Sequence, residues 1–454
     1  MSSALALHPC HLKFKGAKST MKPDKKYFLS GMSAFVLLWA TQGLSTLGSS
    51  MTSYALVVWA YEQTGSALST ALLTICSYAP YVLCSIFAGA LSDRWDKRRT
   101  MLACDTLAAA TTLLVLVLFA SGRLALWHLY LINALNGLAN TVQQPASDVA
   151  VSLLAPPREY QRVGGMRAFS NSLVTILSPV FATALFGLAG LTAVIAFDLA
   201  SFGAAFLALA LFIRIPRANA GDTPPCTVWR AAAQGLAYLR QNRGILDVIL
   251  FLAAINLTAS MYEAALPAML LSRAGGGRAV LGLVSACTGA ATLLGSAALT
   301  LRPAPKSRVR AICNALLFAM STENFLLAFG RSAPVWCLGA VLGWVSIPVM
   351  NTNLDALLRS RIPLGMQGRV YSVRNTLQFF TIPLGSLLGG LLVDRVFEPL
   401  MAAQGSAGLL AWLFGSGKGS GAAFLFCVLG VLGSATCLFF RHDRHLWALE
   451  APSE

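Results

Sequence analysis

The chain has 454 residues, of which 56% are hydrophobic and only 11% charged, whereas soluble domains carry about a quarter charged residues; a water-soluble globule is excluded. The formal net charge of +16 is of the kind nucleic-acid binders carry, but in a lipid-embedded chain an excess of Lys and Arg marks the cytoplasmic loops, and no nucleic-acid partner is expected. In lipid every backbone N–H and C=O needs a partner inside the protein, which leaves helices of about 20 apolar residues or the strands of a closed barrel.

Apolar runs of helical length recur along the chain and the short alternating stretches of barrel strands do not, so the fold class is all-α integral membrane. In chain order, apolar windows predict twelve transmembrane helices near 31–60, 66–91, 100–121, 124–153, 163–188, 191–213, 245–271, 279–301, 310–330, 333–358, 367–393 and 420–440. The expected organisation is a cytoplasmic N-terminal segment (1–28), an N-terminal six-helix half (29–214), a cytoplasmic linker (215–244) with an amphipathic helix around Trp229 to Arg240, a C-terminal six-helix half (245–441) and a cytoplasmic tail (442–454). The first residues lack the order of a signal peptide, and Met21, which opens MKPDKKY, is an alternative start to Met1.

On one side of these spans lie only Arg123, Arg273, Arg278, Arg331, Arg395 and Lys418, while the basic residues of the N-terminal segment, the linker and the remaining loops crowd the other side. The bias predicts a multi-pass protein of the plasma (inner) membrane with both termini cytoplasmic. The ten cysteines occur singly and apart from the five histidines; they read as small apolar filling, and no metal or cofactor is expected.

An internal repeat divides the spans. At an offset of 207, Asp148 falls on Asp355, Pro156 on Pro363, Arg162 on Arg369, Val163 on Val370, Arg167 on Arg374 and Gln144 on Asn351. The two halves are therefore expected to be parallel six-helix repeats, the arrangement of secondary transporters whose substrate site lies where the halves meet. Charges in membrane helices are paired or face a cavity, so Asp148 with Arg162 or Arg167, and Asp355 with Arg369 or Arg374, are candidate ion pairs. They would serve either as a gate that breaks and reforms or as a static clamp on the helix turn.

Between the second and third spans stands Gly89-Ala-Leu-Ser-Asp93-Arg94-Trp-Asp96-Lys97-Arg98-Arg99. It resembles the G-x-x-x-D-R-x-G-R-R signature of the major facilitator superfamily, with Asp96 in place of the second glycine. Physically, Gly89 permits close helix packing, Asp93 can cap the next segment or pair with a basic neighbour, and Arg94 and Arg98 hold the inner surface. Tyr54-Ala-Leu-Val-Val-Trp-Ala-Tyr-Glu-Gln-Thr-Gly-Ser-Ala, Met366-Gln-Gly-Arg-Val-Tyr-Ser-Val-Arg and Asp394-Arg-Val-Phe-Glu-Pro-Leu-Met401 are similar to the macrolide-efflux and siderophore-exporter branch of that superfamily. The resemblance implies the major facilitator fold and proton-coupled export of a bulky amphipathic small molecule, by a chain expected to be monomeric. Ser178-Pro179-Val-Phe-Ala182-Thr183 replaces the glycine-rich element of the antiporters' fifth span with small residues.

The resemblance also implies that the first, fourth, seventh and tenth spans line the cavity, and polar stripes at helical spacing point the same way. These are Asn133, Asn136, Asn140, Gln144 and Asp148 in span four, Asn256, Ser260 and Glu263 in span seven, and Gln42, Thr46, Ser49 and Ser53 in span one, with Asn351 as the repeat partner of Gln144. Such stripes either line a cavity or join helices by hydrogen bonds. Proton coupling needs a carboxylate that changes protonation inside the membrane, and Glu263 is the candidate; Asp105, Asp198 and Glu323 are expected to pair within their halves. The chain is not expected to be an enzyme, since His128, His442 and His445 have no nucleophile or ligand partner in sequence, and Gly415-Ser-Gly-Lys418-Gly-Ser fails the spacing of a phosphate loop. Export of a siderophore or peptide-like metabolite, and a non-transporting membrane receptor or assembly protein on a transporter fold, are the alternative readings.

Overall fold

The structure, a computed structural model, describes residues 29, 31–156, 159–215, 228–300, 305–404 and 408–450; the side chains of 85–94, 160–161, 228–233, 300, 359, 364–369, 371–372 and 404 stand outside that description. The helices run in the order α1 (Met32–Thr64), α2 (Ala67–Arg94), α3 (Lys97–Ala120), α4 (Leu126–Leu154), α5 (Tyr160–Leu207), α6 (Val228–Gln241), α7 (Arg243–Ser272), α8 (Arg278–Thr300) and α9 (Arg308–Phe329). There follow α10 (Ala333–Trp344), α11 (Ile347–Arg361), α12 (Leu364–Leu391), α13 (Glu398–Gln404), α14 (Leu409–Phe414), α15 (Ser420–Arg441) and α16 (Arg444–Ala448). Two π-helical turns, Ala208–Phe212 and Leu392–Phe397, extend α5 and α12.

Among the described residues, nine stretches are long and apolar enough to cross a membrane. One of them, Arg162–Phe212, is 51 residues long, which is two crossings. It turns at Gly190, where φ is 77° and ψ 178°, a conformation open in practice only to glycine. The reversal predicted near residue 190 thus occurs at one residue. α1 and α4 are equally long but fall below the hydropathy of the other spans, because they carry the polar stripes. With these the structure has twelve transmembrane helices in two parallel six-helix repeats.

The tenth span, expected to be continuous over 333–358, breaks between α10 and α11. Pro348 has no N–H to give the carbonyl four residues earlier, which frees one helical bond, and the Ser346 hydroxyl turns to the carbonyl of Ala315 at 3.0 Å. Among the remaining elements, α6 lies between the sixth and seventh spans, and α13, α14 and α16 are short helices that hydrophobic windows do not detect.

Packing repeats with the sequence. In the first half α1 lies on α5, α2 on α4, and α3 on α4 and α5; in the second, α7 lies on α12, α8 on α10 and α11, and α9 on α10 and α15. The halves meet through α2 against α12 and α5 against α8. Glycines on α12 bring it close to one helix of each half: a Cβ at Gly389 would stand 2.7 Å from the carbonyl of Met261 on α7, and one at Gly390 2.7 Å from the Leu68 Cα on α2. Leu29 N–H donates to the Phe212 carbonyl at 2.8 Å, and Gly244 packs on the backbone of His445. The starts of α1 and α7 and the ends of the sixth and twelfth spans therefore share one end of the bundle, the proximal end.

Candidate functional site

α4 exposes two opposite faces. Trp127, Leu131, Leu135 and Leu138 are exposed on one, and Asn140, Gln144 and Asp148, spaced by four, are exposed on the other. An apolar face suits lipid, and a row of amide and carboxylate groups suits an aqueous interior. Asn133, half-buried, sits on the same polar side but bonds its own helix at the Leu129 carbonyl, 2.9 Å away. Asn136 departs from the expected cavity stripe: it accepts the Thr111 hydroxyl at 3.1 Å and joins α4 to α3.

Two further members of the expected cavity set are engaged elsewhere. Gln42 Nε2 reaches Asp105 Oδ2 at 3.2 Å, and Gln143 Nε2 reaches the other oxygen at 2.6 Å, so Gln42 joins α1 to α3. Ser260 is buried, its Cβ 2.8 Å from where a side chain at Gly385 of α12 would begin. A stripe at helical spacing marks a face but does not say which neighbour covers it. Thr46 and Ser53 remain exposed on α1, Asn256 is half-buried on α7, and Asn351 and Asp355 are exposed on α11. Ser49 donates to Asp198 Oδ1 at 2.9 Å.

Among the acids within the spans, Asp105, Asp198 and Glu323 are buried and find neutral partners in their own halves; Glu323 accepts from Trp344 Nε1 at 2.9 Å. Glu263 differs. It is exposed although its neighbours Met261, Tyr262, Ala264 and Ala265 on α7 are buried, and it makes no hydrogen bond or ion pair with a described residue. Within a membrane span an acid without such a partner is a candidate for function. Among the larger side chains of the spans, Tyr78 and Phe169 are exposed, whereas Trp39 donates to the Met166 carbonyl at 2.9 Å and Met350 is buried.

At the proximal end Arg167 stands 2.6 Å from Asp148 and Arg374 3.5 Å from Asp355. Each pair joins neighbouring helices of a single half, α4 to α5 and α11 to α12. Arg162 instead lies 3.7 Å from Glu159, and the Arg369 side chain stands outside the described residues. So do those of Gly89, Asp93 and Arg94, although α2 itself extends through them. Arg98 donates to the carbonyls of Leu209 and Ala210 at 3.1 and 2.6 Å and ties α3 to the π turn after α5. The cap at the start of α3 is Asp96, whose carboxylate accepts Arg99 N–H at 3.0 Å; the residue that departs from the signature supplies the cap considered for Asp93.

His445, isolated in sequence, stands 3.3 Å from Asp247 and 3.5 Å from Asp443. The three place one ligand atom each within 4.8 Å of one another, and they fasten α16 to the start of α7.

The opposite, distal end carries residues to which the sequence assigned no role. Arg278 on α8 makes a two-pronged pair with Glu62 on α1, 2.6 Å on one arm, and the Tyr61 hydroxyl meets the Ala268 carbonyl at 3.1 Å and Ser272 Oγ at 2.5 Å. Asp394 accepts the N–H groups of Ala67 and Leu68 at 3.0 and 2.9 Å and the Ser66 hydroxyl at 2.6 Å. All of these bridge the two halves. Burial, and then the charge of Arg331, push the Arg273 guanidinium down to about 10, which leaves it a cation at neutral pH, held by the Phe414 carbonyl at 2.7 Å. An exposed pair such as Glu62 with Arg278 contributes ~0.2–1 kcal/mol, and a side-chain cap about 1 kcal/mol, so no single contact dominates this closure. The acids were visible in sequence, but their partners lie 216 and 328 positions away, beyond any local signal.

Residues 38–386 match the family model described as Major Facilitator Superfamily. The chain is 25% identical over 368 residues to Macrolide efflux protein A of Streptococcus pyogenes, covering 80% of this chain and 90% of that one. It is 24% identical over 328 residues to the protein of the same name from Enterococcus faecalis, covering 71% and 99%. Among solved structures, a bacterial homologue of the iron transporter ferroportin in an inward-facing state superposes with a TM-score of 0.66 at 15% identity, over 91% of this chain and 100% of that one. The nucleoside transporter NupG superposes at 0.61 with 12% identity, over 93% and 100%.

Proposed function

Because the chain belongs to the major facilitator superfamily and is a multi-pass membrane transporter of small molecules, we propose that it exports bulky amphipathic compounds of the macrolide type by alternating access, driven by proton entry. The observation that carries this reading is the similarity to proteins named for macrolide efflux along four fifths of the chain. The geometry supports it: an exposed polar face on α4 and a carboxylate at Glu263 with no partner among the described residues belong to a bundle whose distal end is closed by contacts between halves.

In this reading the proximal end is cytoplasmic, as the loop charges indicate, and the protein sits in the plasma membrane as a monomer. Substrate enters from that side onto Thr46, Asn133, Asn140, Gln144, Asn256 and Asn351. The same interior admits a proton to Glu263 when the distal mouth opens and returns it when the proximal mouth does. Asp148 with Arg167 and Asp355 with Arg374 stiffen the α4–α5 and α11–α12 turns, so that each half moves as a body. Efflux of macrolides on this scheme would confer resistance to them.

The test is uptake of radiolabelled erythromycin into inside-out membrane vesicles, with and without an imposed pH gradient. Gradient-dependent accumulation is the expected result. Gradient-dependent proton movement that responds to a ferric siderophore or a peptide, and not to erythromycin, would replace the substrate class. Binding without movement would favour a receptor on a transporter fold.

A further inference from the structure

Asp394 and Glu398 stand one helical turn apart at the distal end of α12 and α13, and each caps the start of another helix. Glu398 Oε1 accepts the N–H groups of Gly419, Gly421 and Ala422 at 3.0, 3.1 and 3.4 Å, so it caps α15 inside its own half. Asp394 takes the first turn of α2 in the other half, through Ala67, Leu68 and Ser66. The Ser66 hydroxyl is held in turn by Ser69 N–H at 3.1 Å. One turn earlier, Gly390 lets the α12 backbone lie directly on Leu68, so α2 and α12 touch there without a side chain between them. The orphan N–H groups at the start of a helix need an acceptor, and here the acceptor comes from the opposite half.

We infer that Asp394 is the latch of the distal gate, and that release of substrate on that side requires the first turn of α2 to leave its carboxylate. The inference rests on the alternating-access reading. Rocking the halves apart at this end separates α2 from α12, and the three bonds to Asp394 break together because they share one carboxylate. A cavity of about 650 Å³ beside the latch is lined by Ser66, Asp394, Arg395, Glu398 and Lys418. Arg395 and Lys418 give the freed carboxylate cationic partners, so the open state is not left with a stranded anion.

The neighbouring cap supplies the control. Nitroxide labels at Gln63→Cys on α1 and Ala274→Cys after α7, in a chain whose native cysteines are replaced, report the width of the distal mouth in liposomes by double electron–electron resonance. In the otherwise unmodified labelled protein the short distance should predominate, with a long-distance population that grows when pH or erythromycin is varied. Asp394→Ala should raise the long-to-short ratio about tenfold, and Asp394→Asn, which keeps a carbonyl acceptor, should raise it less. Glu398→Gln should leave the ratio unchanged. An Asp394→Ala ratio equal to that of the unmodified protein, or an equal shift in Glu398→Gln, would overturn the latch. Absence of any long-distance population in every variant and condition would overturn alternating access and the latch with it.

Discussion

Arg167 Nη2 donates to Asp148 Oδ1 over 2.6 Å, and both residues belong to the N-terminal half. A pair confined to one half acts on the turn between α4 and α5, whatever the halves do to one another. Asp148→Asn alone should therefore reduce transport, and the exchange of Asp148→Arg with Arg167→Asp should restore most of it. Failure of the exchange, with normal insertion, would mean that one of the two residues has a partner in the other half during the cycle. Vesicle transport assays on the two variants decide this.

The two faces of α4 predict different responses. Asn140→Ala and Gln144→Ala should each weaken apparent substrate affinity by about 2- to 10-fold, the value of one or two hydrogen bonds. Leu131→Ala and Leu135→Ala on the opposite face should leave it unchanged. Competition against a fluorescent amphipathic probe measures all four, and equal effects on both faces would remove the cavity from this side of α4.

Asp105 is buried and holds amides from α1 and α4. Asp105→Ala strands Gln42 and Gln143, a loss of about 1–3 kcal/mol, so the detergent-solubilised protein should melt several degrees lower while the residual folded protein still transports. Loss of coupling at unchanged melting temperature would instead place Asp105 in the proton path.

Gly190 makes the whole turn between the fifth and sixth spans at φ 77°. Gly190→Ala should cost about 1–3 kcal/mol of strain, read as lower thermal stability and yield. Wild-type stability in that variant would show that the turn relaxes without glycine.

How far the sequence carried is clearest in particular residues. The offset that aligns Asp148 with Asp355 and Arg167 with Arg374 anticipates two like turns at equivalent places, because a repeat copies local spacing. Hydropathy windows find the spans because length and apolarity are properties of one helix. They do not find the break before Ile347, which depends on a single proline and serine, nor the short helices after α12. Helical spacing put Asn136 and Ser260 on the right helices, yet the covering neighbours, Thr111 on α3 and Gly385 on α12, come from elsewhere in the chain. The distal closure was least legible. Glu62, Asp394 and Glu398 stand in stretches that carry the family resemblance, but nothing in those stretches names their partners, and only folding brings the first turn of α2 to a carboxylate more than 300 residues away.

The central claim is that proton movement drives efflux through Glu263. The direct measurement uses purified protein in sealed vesicles with an imposed pH gradient, following erythromycin and proton flux together in wild type and Glu263→Gln. The account predicts stoichiometric counter-movement in wild type and, in the variant, substrate binding retained with proton-driven movement lost. Coupled movement that persists in Glu263→Gln would contradict it and transfer the proton to another acid.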